Sequence, residues 1–509
     1  MPIFEKLFKA ITFSRLKKIE YCALHANEIQ EMTFKGLIDR AKKTEFGKTF
    51  HFSAIKTPES FASKVPVQHY EELYPWINKI RQEEENVLWP GKIDWLAKSS
   101  GTTNDKSKYI PVTWESLHKC HYRGGTDSII LYLHNNKKSK LFCGKTITLG
   151  GSHKIDSLGN NIKAGDLSAI MIQNIPTLAN IFRTPPKKIA LLSEWNEKLE
   201  KLSNHIIKEN ITAFAGVPSW NMVLMKRVLE ITGKRNLLEV WPNLELFIHG
   251  GVNFSPYQNS YKNIIPSENM HYMETYNASE GFFAIQNDLQ DSSMLLMTDY
   301  GIYYEFIEMT NYYQGKKNTI ALADVKTGVN YAMVISTNGG LWRYIIGDTV
   351  MFTSTNPYKI KITGRTKHYI NAFGEELIVD NADHAIAEVS AKLNIRINDY
   401  TAAPVYMSEK SNGCHQWLIE CDKKDINPHI VAQILDEELQ KLNSDYQAKR
   451  YNNITLTIPQ VTILPTGTFM KWFEINNKLG GQNKIPRLSN DRKHIESILK
   501  LLPSLEKKA

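Results

Sequence analysis

Apolar residues recur at helical spacing near the start of the chain, at Phe4, Leu7, Phe8 and Ile11, and predict an amphipathic first helix. The helical pattern, with Lys and Glu interspersed, runs to about residue 95, punctuated by Pro66, Pro75 and Pro90. Beyond that point the period changes. Short apolar or β-branched runs, KTITLGG (145–151), ITAFAGV (211–217), LELFIHGG (244–251) and YAMVISTN (331–338), read as strands, several of them ending in Gly or Asn. Helical patterns at 191–210 and 219–234 stand between them, with starts at Ser193 and Ser219. This alternation predicts an α/β architecture. From about Gly364 the pattern restarts as a smaller α+β unit: a helix at 381–394, strands at 403–407 and 415–422, a helix at 427–443 and a strand at 453–459. No internal repeat or low-complexity linker is evident. The expectation is two unequal domains, 1–362 and 363–509, with the functional site between them.

Bulk properties narrow the function classes. The chain has 509 residues, 42% hydrophobic and 23% charged, which is material for a large buried core. It carries 62 Lys and Arg against 53 Asp and Glu, a net charge of +9. The basic residues are dispersed, so the surplus reads as solvated surface, and no aromatic-and-basic motif points to a nucleic-acid partner. The tightest cluster, Lys137, Lys138 and Lys140, reads as an exposed loop. Five scattered cysteines (Cys22, Cys120, Cys143, Cys414, Cys421) show neither metal nor disulfide spacing and fit a reducing cytoplasm. The start contains Glu5 and lacks the continuous apolar core of a signal peptide. No stretch is apolar for long enough to span a bilayer, so stable membrane insertion is not expected.

Four segments carry candidate chemistry, and a fifth adds a cation. LAKSSGTTNDKSKYIPVT (96–113) places Ser99, Ser100, Thr102 and Thr103 around Gly101, with Lys106 and Lys108 following. Hydroxyl donors, a backbone free of a side chain and a lysine can wrap phosphates; a polar surface loop is the alternative. It lacks the G-x-x-x-x-G-K-[ST] of a Walker A loop, which disfavours a kinase or motor ATPase. YNASE (276–280) offers the flat ring of Tyr276 and the carboxylate of Glu280, a residue type that ligates Mg²⁺. In GGLWRYIIGDTV (339–350), Asp348 at the end of a buried strand could accept hydrogen bonds from vicinal diols. KITGRTKHYINAFGEEL (361–377) supplies Arg365, able to pair with ribose or phosphate oxygens. GGQNKIPRLSND (480–491) presents Lys484, a cation that could stabilise developing charge.

Together, and in this order, the segments resemble the Gretchen Hagen (auxin-responsive) acyl-acid amido synthetase family of the acyl-adenylate-forming superfamily. SSGTT with Lys108 looks like the superfamily's phosphate loop, although Asp105 stands where Gly is usual. YNASE is similar to the Tyr-x-x-Ser/Thr-Glu motif, which implies adenine contacts from Tyr276, Asn277, Ala278 and Ser279 and magnesium ligation by Glu280. Gly-Leu-x-Arg-Tyr-x-x-Gly-Asp-x-Val matches 340–350 and implies that Asp348 holds the ribose hydroxyls. Gly364, Arg365, Ile370 and Gly374 fit the hinge, with Thr366 to His368 as the pivot of a mobile C-terminal domain. Lys484 resembles the C-terminal catalytic lysine, and Lys108 pairs with it as the second catalytic cation. Tyr303 and Tyr304 look like the family's strand and read as core, while His249 borders the pocket or is structural. The resemblance implies a large adenylate-forming N-terminal domain of mixed sheets and helices and a smaller α+β domain. It further implies ATP and Mg²⁺, a small carboxylic acid and an amine acceptor, an amino acid in this family. An acyl-CoA ligase and a non-catalytic nucleotide-binding scaffold of the same fold stay open as alternatives.

Overall fold

The large sheet consists of two halves that meet at one strand. In the computed structural model, which describes residues 2–99, 108–149, 151, 156–158, 161–192, 194–252, 254, 257–366, 369–408, 411–423, 426–476 and 486–502, this sheet has 12 strands. One half is antiparallel, running through Ile302–Glu308, Asn330–Thr337, Tyr344–Thr355, Tyr358–Arg365, Met294–Leu296 and Gly281–Ile285 to His271–Ala278. The other is parallel, from His271–Ala278 through Leu246–His249, Ile211–Gly216 and Lys145–Thr148 to Arg183–Thr184. The parallel strands are short and mostly buried, as expected for strands linked by crossover helices. A second sheet of four strands carries Trp95–Ser99 and Lys108–Val112, paired antiparallel.

The helices follow the predicted pattern with informative shifts. Pro218–Thr232 starts on proline, whose missing N–H costs nothing in a first turn, and stops at Gly233, φ 64°. Ser219 is therefore inside this helix rather than its cap, and its hydroxyl donates to the Phe373 carbonyl at 3.3 Å. The helix expected over 191–210 is Trp195–Ile206, capped by Glu194, whose carboxylate accepts from the Asn196 and Glu197 amides. Ser193 lies outside the described residues. Pro75 does not end a helix but sits inside Tyr70–Arg81.

Two apolar cores form. Trp342, fully buried, anchors the first, in ring contact with Phe46, Phe52, Phe61 and Trp89 from the N-terminal helical region. The second lies between the parallel half of the sheet and the C-terminal unit, joining Phe214, Phe247 and Tyr261 to Phe373, Trp417 and Leu435. The chain beyond 362 thus shares a core with the large sheet. That unit holds the strands Ile397–Val405, Cys414–Cys421 and Gln460–Leu464 and the helices Val379–Leu393 and Pro428–Leu442. The segment 453–459, expected as a strand, forms none: Asn452 and Asn453 take left-handed backbone, only Leu456 makes an isolated bridge, to Gly413, and the unit's last strand follows at Gln460.

Candidate active site

The junction of the two sheet halves opens into a cavity of about 740 Å³ that also touches the C-terminal unit. Eight of the residues singled out from sequence line it: Lys108, Tyr276, Asn277, Ala278, Ser279, Glu280, Asp348 and Arg365. They arrive from three places. The hairpin formed by His271–Ala278 and Gly281–Ile285 presents Tyr276 to Glu280 at its tip. The strands Tyr344–Thr355 and Tyr358–Arg365 set Asp348 directly opposite Arg365. Lys108 and Lys98 stand on the paired strands that flank the serine- and threonine-rich segment, where Ser99 pairs in register with Lys108. Ser100, Gly101, Thr102, Thr103, Asp105 and Lys106 lie outside the described residues, as do His368 and Lys484.

Asp348 is not at a strand end, as its sequence context suggested, but five residues into a 12-residue strand. It is delivered by an irregularity. Between Ala332 and Val334 the partner strand steps from Thr349 to Ile345, so Ile346 to Asp348 bulge out, with Gly347 at φ 97°. A residue with a β-carbon would be strained there, and such bulges re-aim a side chain at the rim of a site. The Asp348 carboxylate is held at both oxygens: the Tyr276 hydroxyl donates to one at 2.8 Å and Arg365 Nε to the other at 2.7 Å. Burial, with Asp348 adding to it, pushes the Tyr276 phenol well above its ordinary range, so it remains a donor. Burial works against the charge of Arg365, but Glu376 and Asp348 outweigh it and keep the guanidinium protonated.

The cavity holds further charge that sequence reasoning missed. Glu274, two residues before Tyr276, lines it with Lys361. Burial raises the Glu274 carboxyl to about 7, against an opposing pull from Lys361. Glu280 rises to about 6, again by burial, with Lys108 opposing. Lys98, Asp166, Glu376, Asp445 and Asn490 add to the polar lining, while Leu167, Met171, Val252 and Ile346 give an apolar stretch. Glu274 had a local signal, since alternation along a strand puts it on the face of Tyr276. The others come from elements far apart in the chain. His249 does not line the cavity; it is buried, stacked on Phe254 at 4.1 Å, and held neutral with its pKa near 3 by burial, so its role is structural. Tyr303 and Tyr304 are buried core residues, as read from sequence.

Among the described residues no group of three or more His, Cys, Asp or Glu side chains could hold a metal by itself. Magnesium does not require one, because it keeps waters and binds through one or two carboxylates and substrate phosphates. Glu280, half-buried and facing Lys108, is of the right chemistry for that single protein ligand.

Comparison with known proteins places this geometry. Residues 15–270 match the GH3 family N-terminal domain, 295–365 the GH3 family central domain and 380–493 the GH3 family C-terminal domain. Among curated relatives, the indole-3-acetic acid-amido synthetase GH3.4 of Arabidopsis thaliana is 23% identical, with 96% of this chain and 93% of the relative covered. The 4-substituted benzoates-glutamate ligase GH3.12 of the same organism is 22% identical over 94% of this chain and 96% of its own. Among solved structures, the AtGH3.15 acyl acid amido synthetase in complex with 2,4-DB superposes with a TM-score of 0.62 at 16% identity, covering 95% of each chain. A 2-hydroxyisobutyryl-CoA ligase in complex with 2-HIB-AMP and CoA superposes at 0.52, with 15% identity and 92% of each chain covered. These likenesses show that the chain shares the fold of these proteins, a large mixed α/β unit followed by a smaller C-terminal one. The family models, the first of which alone spans half of the sequence, make this chain a member of the GH3 family, the Gretchen Hagen group that its motifs resemble.

Proposed function

We propose that this protein is an ATP-dependent ligase that activates a small carboxylic acid as acyl-AMP and transfers the acyl group to an amine, an amino acid. The observation that carries the reading is the convergence of Tyr276, Glu280, Asp348, Arg365 and Lys108 on one cavity from separate strands. The relatives named above, amido synthetases and a benzoates-glutamate ligase, point to the same chemistry.

In the first half-reaction a carboxylate oxygen attacks the α-phosphorus of ATP, the bond to the β-phosphate oxygen breaks, and pyrophosphate leaves. In the second, the amine nitrogen attacks the acyl carbon and AMP departs, carrying the charge that oxide could not. Asp348 accepts the ribose hydroxyls through lone pairs not used by Tyr276 and Arg365. Tyr276 and the backbone of Asn277, Ala278 and Ser279 form the wall for the base. Lys108, with Ser99, Ser100, Gly101, Thr102 and Thr103, answers the phosphates, and Lys484 stabilises charge at the α-phosphate. Glu280 holds the Mg²⁺, which neutralises phosphate charge when bound.

We also propose two domains, 1–362 and 363–509, and a cytoplasmic setting, the latter in keeping with cysteines that are all free thiols, four of them buried. Among the described residues no helix is long and apolar enough to cross a membrane. The test is pyrophosphate release with Mg-ATP over a panel of acids, with product identified by mass spectrometry after adding amino acids or coenzyme A. An amide product supports the reading, a thioester alone moves the assignment to an acyl-CoA ligase, and ATP binding without pyrophosphate release for any acid points to a non-catalytic nucleotide-binding scaffold.

A further inference from the structure

Arg365 is the last residue of the strand Tyr358–Arg365, where the chain leaves the large sheet. Its guanidinium is divided between two carboxylates. Nε donates to Asp348 at 2.7 Å and Nη2 to Glu376 Oε1 at 3.2 Å, while the Tyr369 ring lies 4.8 Å from its central carbon. Asp348 belongs to the large sheet and Glu376 to the turn that opens the C-terminal unit, so the arginine spans the boundary.

The turn that carries Glu376 is held firmly. Glu376 has φ 39°, in the left-handed region that costs a residue with a β-carbon free energy. Its N–H donates to Asn371 Oδ1 at 3.4 Å, and its carbonyl accepts from Asn443 Nδ2 at 3.3 Å. The preceding Glu375 is fully buried and accepts the Ala372 and Phe373 amides at 3.2 and 2.7 Å. It also pairs at 2.8 Å with Nε2 of His415, in the strand Cys414–Cys421. These contacts fix the point from which the Glu376 side chain reaches back to the large sheet.

We infer that Glu376 is a positioning residue for the nucleotide: it carries the placement of the C-terminal unit across the boundary to Arg365, and through Arg365 to the carboxylate of Asp348. The inference rests on the assignment of Asp348 to the ribose made above. An arginine with one anionic partner turns about its own torsions, whereas carboxylates at two points of its planar fork fix the plane. With Glu376 in place, Asp348 is preorganised before the nucleotide arrives. Without it, binding must order Arg365 as well, and affinity falls.

The test uses the full chain and needs no knowledge of the acid: the dissociation constant of ATP, measured by calorimetry, for wild type, Glu376→Gln, Arg365→Lys, the double variant and Asp348→Asn. Glu376→Gln is expected to weaken ATP binding about five- to tenfold, and to add less than about twofold once Arg365 is already lysine. Equal effects in the two backgrounds would overturn the inference, since a general structural role gives additivity. Unchanged affinity in Glu376→Gln beside weakened affinity in Asp348→Asn would sink the inference alone. Unchanged affinity in Asp348→Asn would remove the ribose assignment and the inference with it. If Glu376→Gln also lowers the thermal midpoint, Glu376→Asp decides, because it keeps the charge: recovered affinity supports positioning and unrecovered affinity overturns it.

Discussion

Replacing Asp348 by Asn exchanges one oxygen for an amide nitrogen and removes the charge at the centre of the site. In the structure that carboxylate takes a hydrogen bond from the Tyr276 hydroxyl at 2.8 Å and one from Arg365 Nε at 2.7 Å. An asparagine can still accept one of these, but its NH₂ then faces the other donor. The Tyr276 hydroxyl can turn to accept, and Arg365 retains Glu376. Asp348 and Arg365 side chains are 12% and 26% exposed, so the folding cost is that of a partly solvated pair, about 1 kcal/mol. Binding loses more. A hydrogen bond to a charged acceptor contributes about 1.5–3 kcal/mol, so removing the charge under the ribose diol should weaken ATP about 10- to 100-fold. The diagnostic assay compares ATP with 2′,3′-dideoxy-ATP by calorimetry. The variant should lose affinity for the first and stay within about twofold of wild type for the second. Equal losses for both nucleotides, or no loss for ATP, would refute the assignment of Asp348 to the ribose.

Three other predictions follow from charge and burial. Burial holds Glu280 near 6, and only its anion ligates a cation, so the Mg²⁺ concentration for half-maximal pyrophosphate release should climb as pH falls through about 6, beyond the climb due to ATP itself; Glu280→Gln should remove that excess, and an identical pH response in the variant would contradict the ligand role. Glu274 is raised to about 7 from an unfolded value near 4.5, so the unfolded chain loses its proton first and stability declines as pH rises across that window; Glu274→Gln should stabilise the fold at pH 8 relative to pH 4 in urea titrations, and equal effects at both would contradict this. Arg343, with 4% side-chain exposure, pairs with Glu305 and caps the Ala62 and Val65 carbonyls, so Arg343→Met leaves a buried carboxylate unpaired; urea unfolding should show a loss of about 3–5 kcal/mol, and a loss under about 1 kcal/mol would mean that Glu305 is compensated elsewhere.

Local signals proved legible and long-range ones did not. The strand segments at 145, 211, 244 and 331 announce themselves by short apolar or β-branched runs, several of them ending in Gly or Asn, and each forms a strand within a few residues of its expected bounds. The motif 340–350 marked Asp348, yet nothing local reveals that Gly347 and the bulge beside it do the aiming. The same motif contains Arg343, whose partner Glu305 lies 38 residues away and can be identified only once the strands pair. Ser219 has the composition of a cap, but the helix begins one residue earlier at Pro218, which puts Ser219 at its second position with its hydroxyl on the Phe373 carbonyl. Lys98, Lys361 and Glu376 lie within the candidate segments but match no motif position, and Asp445 lies outside them, so their place in the cavity is seen only in the folded chain.

The central claim is that the protein makes an acyl-adenylate and passes the acyl group to an amine. The most direct measurement is carboxylate-dependent pyrophosphate release with Mg-ATP across an acid panel, followed by mass spectrometry with and without amino acids, for wild type, Glu280→Ala and Asp348→Ala. The account predicts release with at least one acid, an amide conjugate when an amino acid is present, and loss of both in the two variants. Release that the variants retain, or a conjugate formed only with coenzyme A, would contradict it.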